Sequence, residues 1–551
     1  MDSDKSLASL FFSDRSQIAL SLLIISLCVA LRVLPALFLG VPYLPDPWVH
    51  IAKADEILQS GYFNILGDYD DHWPGLNILI ALFAMFPGID TITVGHILIP
   101  LLCSLSLVVF YLLIRRLTGN NIISLVSLTL MGFAAPLTLI MGTTYKEGLA
   151  RLFVSIALLA FSTRSPKELA HVLPVVVLMS AIIPVHHFTF IVAGSIIIFV
   201  ISSLQVYSLH TKELEFRPWI YQTAIYFTVF GFALTYFVVF GCISLLLIDA
   251  RIVGLGLFIY FVIFGALNLR RVFAQKTSRS LKLFILALAL ILLASFFANL
   301  AIIPVFSLTV LPIQTILMLL PFVGTCVLAG IGFSSIDRLT PRVKIFLSSW
   351  TFAILGLLFF AFFSGRSSLN LILTYRFSIF AIAPLCALAG IGVFLYTTSQ
   401  PKRARFIQIS LIIGLLSVLP VTTLAFARDP FFGYGCSITI PIQNSNQWLA
   451  AHSEPNSITV SDHLFTYYYI YYLHQSASID GGIQLFVDGD QSTTFTYAAS
   501  HHYMEQNGFW LPSGVQWEAL QPGIINWLTY HTSTALIYNN GEVRVFYNLQ
   551  K

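Results

Sequence analysis

Charge is what this sequence has least of. Only 10% of its 551 residues are Asp, Glu, Lys or Arg, while 57% are hydrophobic; an ordinary soluble domain is roughly a quarter charged. A soluble globular chain is excluded on that ground. Cysteine is also scarce, at six. Cys28, Cys103, Cys242, Cys326 and Cys386 fall inside apolar runs, where cysteine behaves as a small hydrophobe. Cys436 stands alone in the polar tail, so that tail holds no internal disulfide, and no cysteine spacing suits a metal. No small-x-small cleavage site follows the first apolar run before Tyr43, and the run is too long for a signal-peptide core; it reads as an uncleaved anchor. The net charge of +4 is modest, and no nucleic-acid partner is expected.

What the chain has instead is repeated apolar runs long enough to cross about 30 Å of hydrocarbon, and a mean hydropathy of +0.85. The fold class expected is an all-α polytopic membrane protein with a small α/β domain at its carboxyl end. Spans are placed at 17–39, 92–114, 121–141, 149–163, 169–183, 188–206, 219–248, 252–268, 283–303, 313–334, 345–363, 377–397 and 407–425, about thirteen in all. Residues 73–87 are apolar but too short to cross, and read as a juxtamembrane or re-entrant helix. In this register the clusters Arg115–Arg116, Arg164/Lys167, Arg270–Lys282, Arg338–Lys344 and Lys402–Arg405 share one side. The positive-inside rule makes it cytoplasmic, with the amino terminus inside and the carboxyl terminus outside, in the plasma membrane if the source is prokaryotic. The membrane domain is set at 1–426 and the outer domain at 427–551. The tail turns polar, with strand-like runs at Ser457–Val460 and Val543–Tyr547, a helix at Ser445–His452, and a tyrosine run around Tyr468–Tyr472 read as a strand or a headgroup-level surface.

The few charges are unevenly placed. Loop 40–91, expected outside, carries seven of the 25 acidic residues against one basic residue, Lys53. Two readings are open at Asp46. It could join a divalent cation, Mg²⁺ or Mn²⁺, that holds a phosphate; or, preceding Pro47, it could be a helix N-cap with proline at N1, with His50 and Lys53 on the same helix face. Asp68, Asp70, Asp71 and His72 form a second patch: a solvated turn, a cap for the helix at Trp73, or a base or ligand. Asp90 is expected to cap the second span. Glu147, beside Lys146 in the short loop Gly142–Gly148, is either half of a self-neutralising pair or part of a site at the membrane mouth. Arg151, one turn on, is a phosphate contact or a snorkelling side chain. His186 and His187 could serve as ligand, acid–base pair or interfacial residues. Arg376, at the start of its span, could grip a phosphate bidentately, as could Arg366 more weakly.

The stretches PDPWVH (Pro45–His50), HWPGLNILIALFAMFPG (His72–Gly88), LLIRRLTGN (Leu112–Asn120) and GTTYKEGLARLF (Gly142–Phe153) together resemble the C-type membrane glycosyltransferases. Within that superfamily the layout is similar to the catalytic subunits of oligosaccharyltransferases. The resemblance implies a polyprenyl- or dolichyl-phosphate-linked sugar donor and an acceptor outside the membrane: a protein, glycan or lipid. It implies Asp46 as catalytic carboxylate or metal ligand, Glu147 as the acidic residue of the second outer loop, also metal-linked, and Arg376 as a contact to lipid phosphate. Arg151 and Lys146 are added as phosphate contacts, and His186 as a third candidate metal ligand. Where oligosaccharyltransferases carry WWDYG, this chain has SDHLFTYYY (Ser461–Tyr469). Two other activities stay open: an oligosaccharyltransferase with a diverged acceptor site, and a lipid or polysaccharide transporter.

Overall fold

The structure, a computed structural model, describes residues 14–42, 44–63, 69–163, 169–211, 216–239, 250–273, 320–363, 368–398, 437–510 and 517–550, with a few positions between 414 and 423. The expected spans at 283–303 and 407–425, most of the start of 313–334, and Asp68 and Arg366 lie outside these residues, apart from those few positions.

Long apolar sequences become long helices because the hydrocarbon supplies no partner for a free amide. Five helices are long and apolar enough to cross: Ser16–Leu39, Thr91–Thr118, His187–Thr211, Pro341–Ala361 and Arg376–Thr398. A sixth span exists if the pair Asn121–Gly132 and Ala135–Met141 is taken as one. The sequence suggests a straight span at 121–141; the structure bends it by 72°. Pro136 is the reason, since it opens the second helix and cannot continue the hydrogen bonding of the first. Lys146–Thr163, Leu169–Val185, Phe216–Val239, Ala250–Phe273 and Leu320–Ser335 complete the described bundle. Gly75–Ala84 is a ten-residue helix, too short to span, as the sequence suggests. On the first helix Leu22, Leu23 and Phe38 are exposed, which on a helix of this hydropathy marks a lipid-facing side.

The bundle closes where glycine lets backbones touch. A Cβ on Gly332 would meet Leu388 O at 1.8 Å, and one on Gly392 would meet Leu328 O at 2.3 Å. This reciprocal approach seats Leu320–Ser335 against Ser368–Thr398 in the manner of small-residue membrane packing. A buried ion cluster ties three further segments: Arg271 Nη1 and Lys344 Nζ reach Asp337 Oδ1 at 2.6 and 2.9 Å. Asn268 Nδ2 donates to Ser203 Oγ (2.7 Å) and Ser349 Oγ (2.9 Å).

The carboxyl-terminal part is α/β, as expected. Strands β1 (Thr459–Val460), β2 (Ala477–Ser478), β3 (Tyr497–His501), β6 (Thr534–Asn539) and β7 (Val543–Asn548) form one sheet in the order β2-β1-β3-β7-β6. β1 runs parallel to β2 and β3, while β3, β7 and β6 are antiparallel. Strands β4 (Phe509–Trp510) and β5 (Trp517–Glu518) make a separate pair. Alternation along β7 serves two cores: Val543 and Val545 enter one, Phe546 the other. The tyrosine run is not a strand. It continues helix His463–Tyr467 as a π-turn over Tyr468–Tyr472, which stacks the Tyr468 and Tyr472 rings on each other at 5.0 Å.

Candidate functional site

The first loop folds onto one end of the bundle. Helix Asp46–Ser60 begins one residue earlier than the N-cap reading suggests. Pro45, already helical at φ −76° and ψ −39°, stands at the cap, and Asp46 is the first helical residue. Asp46 is partly exposed, and its carboxylate lies where the helix dipole favours negative charge. Just before it, Leu44 has φ +69°, an uncommon conformation for a branched side chain. Asp90 does cap its helix, accepting from Thr93 N at 2.5 Å.

Asp71 caps nothing. It is buried and paired with Lys53 at 3.4 Å, and helix Gly75–Ala84 has Pro74 at its cap with no side-chain bond. Burial alone would lower the Lys53 pKa; Asp71 and Glu56 outweigh it and raise the value. Asp70 lies with Asp71 in the short 3₁₀ turn Tyr69–His72. The His72 carbonyl accepts from Tyr236 Oη at 2.7 Å. Trp73 is buried with its ring 4.3 Å from that of His187 and 5.9 Å from that of Tyr236. His50 is buried in the same helix as Asp46.

The segment Gly142–Gly148 also meets this loop. Thr144 Oγ1 donates to Gly95 O, and a Cβ on Gly95 would press on Ile51 at 2.8 Å. Ile51 lies five residues after Asp46, about 7.5 Å along a helix axis. Glu147 follows Thr144 by three residues, in the first turn of Lys146–Thr163. Contacts through Gly95–Ile51 and through Trp73–His187 thus bring the Asp46 helix, the Glu147 loop and the histidine pair to the same end of the bundle.

There Lys146, Glu147 and Arg151 are all buried. Arg151 grips one oxygen of Glu147, with Nη2 at 2.6 Å and Nε at 3.0 Å. Its guanidinium also lies 3.6 Å from the centre of the Phe380 ring, and Nη1 reaches Ile379 O at 3.4 Å. Arg376 opens the apolar span Arg376–Thr398, as expected, while the helix that carries it begins two turns earlier at Ser368. Its Nη1 lies 3.4 Å from His186 Nε2. His186 occupies the break between Leu169–Val185 and His187–Thr211, with Nδ1 2.7 Å from Thr189 Oγ1. The backbone N–H of Thr189 donates to the same ring nitrogen at 3.3 Å. Burial first, then Arg376, His187, Lys146 and Arg151, hold the His186 pKa well below the ordinary histidine range.

Two of the residues named for a divalent cation have cationic neighbours. Glu147 is engaged by Arg151, and His186 turns its Nε2 to a guanidinium. Among the described residues no three His, Cys, Asp or Glu side chains gather as a metal-holding group. Three cations, Lys146, Arg151 and Arg376, lie around His186, a setting that suits a bound anion. The sequence points to each of these residues but not to their pairing. It misses Trp73 and Tyr236, which pack beside His187, and Phe380, which lies against Arg151; the Trp-Pro-Gly after His72 is the signal that could have found the first.

No protein-family model and no curated protein matches the chain. Among solved structures the chain is similar to ArnT from Cupriavidus metallidurans. Against the apo state the TM-score is 0.49 with 12% identity, covering 95% of this chain and 97% of that one. Against ArnT bound to undecaprenyl phosphate the TM-score is 0.38 with 10% identity, covering 97% and 98%.

Proposed function

We propose that this multi-pass membrane protein is a C-type glycosyltransferase that moves a sugar from a polyprenyl- or dolichyl-phosphate-linked donor to an acceptor on the outer side of the membrane. The observation that carries this reading is the gathering of Lys146, Arg151 and Arg376 around His186, at the bundle end reached by the Asp46 helix. A buried cationic pocket beside hydrocarbon is a place for a lipid phosphate.

In the proposed reaction the acceptor atom attacks the anomeric carbon from the face opposite the phosphate. The bond from that carbon to the phosphate oxygen breaks, and its electron pair leaves on the phosphate. The acceptor's proton passes to the Asp46 carboxylate. Arg376 and Lys146 stabilise the charge growing on the leaving phosphate, an effect worth a few kcal/mol in a site shielded from water. Arg151, tied to Glu147, positions the pocket wall. No step runs through a metal.

A sequon-reading acceptor site is not favoured by the stretch replacing WWDYG. Asp462 is fully buried, accepting from Phe465 N at 3.1 Å and pairing with His501 Nε2 at 2.9 Å, so it is engaged within its own domain. The test is Asp46→Asn in purified, folded protein. Transfer from a polyprenyl-phosphate sugar should fall by about 100-fold or more, while binding of the lipid phosphate is retained; transfer within twofold of wild type would overturn the reading. A peptide bearing Asn-x-Thr, offered with a lipid-linked glycan, distinguishes sequon-directed transfer.

A further inference from the structure

Trp48, two residues after Asp46, belongs by sequence to the bundle but packs with the carboxyl-terminal domain. It is 1% exposed and shares a core with Ile438, Ile442, Leu464, Phe465 and Tyr468. Its indole meets the edge of Tyr468 at 4.7 Å (86°) and of Tyr472 at 5.1 Å (74°), and those two tyrosines stack on each other at 5.0 Å (20°). Gln447 Nε2 donates to Tyr468 Oη at 3.2 Å, fixing the ring from the domain's own helix. An independent sign lies on the other side of Asp46. Leu44, at φ +69°, also packs against this core. A branched residue holds such a conformation only where its surroundings over-determine it, and here the carboxyl-terminal domain supplies part of those surroundings.

We infer that Trp48 is a positioning residue: clasped by Tyr468 and Tyr472, it fixes the first turn of the Asp46–Ser60 helix, so that the carboxyl-terminal domain sets the place of the Asp46 carboxylate. This rests on the transferase reading above. The clasp acts on the base and not on the phosphate pocket, so loosening it lowers turnover without weakening donor binding. Aromatic pairs of this kind exceed their area burial in strength because edge and face are electrostatically matched; a ring kept without its hydroxyl should keep the effect.

The test uses the full chain in nanodiscs, as wild type, Tyr472→Leu, Tyr468→Leu and Tyr468→Phe. Hydrogen exchange is followed at residues 44–50, with β3 and β7 as the check that the domain stays folded. Each leucine variant should raise exchange at 44–50 about tenfold and lower kcat about tenfold, with the donor KM within twofold. Tyr468→Phe should restore both. Unchanged exchange at 44–50 overturns the inference, as does raised exchange with kcat intact or a loss confined to KM. Failure of the transferase reading looks different: wild type itself then transfers nothing, while the exchange arm still reports whether the clasp holds the segment.

Discussion

At the scale of single residues, the cation cluster is held by the Arg151–Glu147 pair. The Arg151–Glu147 pair is buried on both sides, and breaking a buried pair from one side leaves a charge without compensation. Glu147→Ala should cost about 3–5 kcal/mol of stability, seen as a lower Tm in detergent, and Glu147→Gln should cost less because it keeps an acceptor. Because Glu147 and His186, two of the three cation ligands named from sequence, are turned toward Arg151 and Arg376, a chelator should leave transfer within twofold; a tenfold loss restored by Mg²⁺ or Mn²⁺ would instead assign the site a cation. Far from the pocket, burial lowers the pKa of His463 from 6.5 to about 4, against the pull of Asp462. The unfolded chain therefore takes up the proton first as pH falls. Stability from this group is complete above about pH 6.5 and is lost between there and pH 4, on the order of 3 kcal/mol in all. Thermal unfolding across that range should slope less steeply in His463→Phe than in wild type.

At the scale of elements, the meeting of Leu320–Ser335 with Ser368–Thr398 offers a sharp contrast. Gly332 has no room for a methyl group, whereas a Cβ on Gly330 would meet nothing within 4 Å. Gly332→Ala should lower stability by about 1–3 kcal/mol through forced separation of backbones. Gly330→Ala, two residues away, should be neutral or raise it by up to about 1 kcal/mol through helix propensity; paired melting curves decide. Elements were also where sequence reading was strongest and where it slipped. Hydropathy located the described helices because the requirement it measures, burial of backbone polarity in hydrocarbon, is local. It carried no direction, so the 72° bend at Pro136 passed as a straight span. It placed Arg376 at the boundary of its apolar span, where the structure also has it. Asp46, Glu147, Arg376 and the histidines stood out because charge is rare in such a chain. Arg151–Glu147 lies within one helix at i,i+4 spacing, but Lys53–Asp71 and Arg376–His186 did not show, since they are set by packing between segments up to 190 positions apart.

At the scale of the whole molecule, the bundle and the carboxyl-terminal domain share a core through Val41 and Trp48. The chain thus joins its membrane-embedded part to its sheet domain beside the proposed base. The excess of cations in the pocket has one more result. A donor linked through a phosphodiester carries about one negative charge there, and the monoester released carries close to two near neutral pH. The same three side chains therefore hold the spent carrier lipid more tightly than the loaded one. Multiple turnovers should slow as free carrier accumulates, more so at pH 8 than at pH 6, and recovery should depend on whatever draws that lipid away into the bilayer.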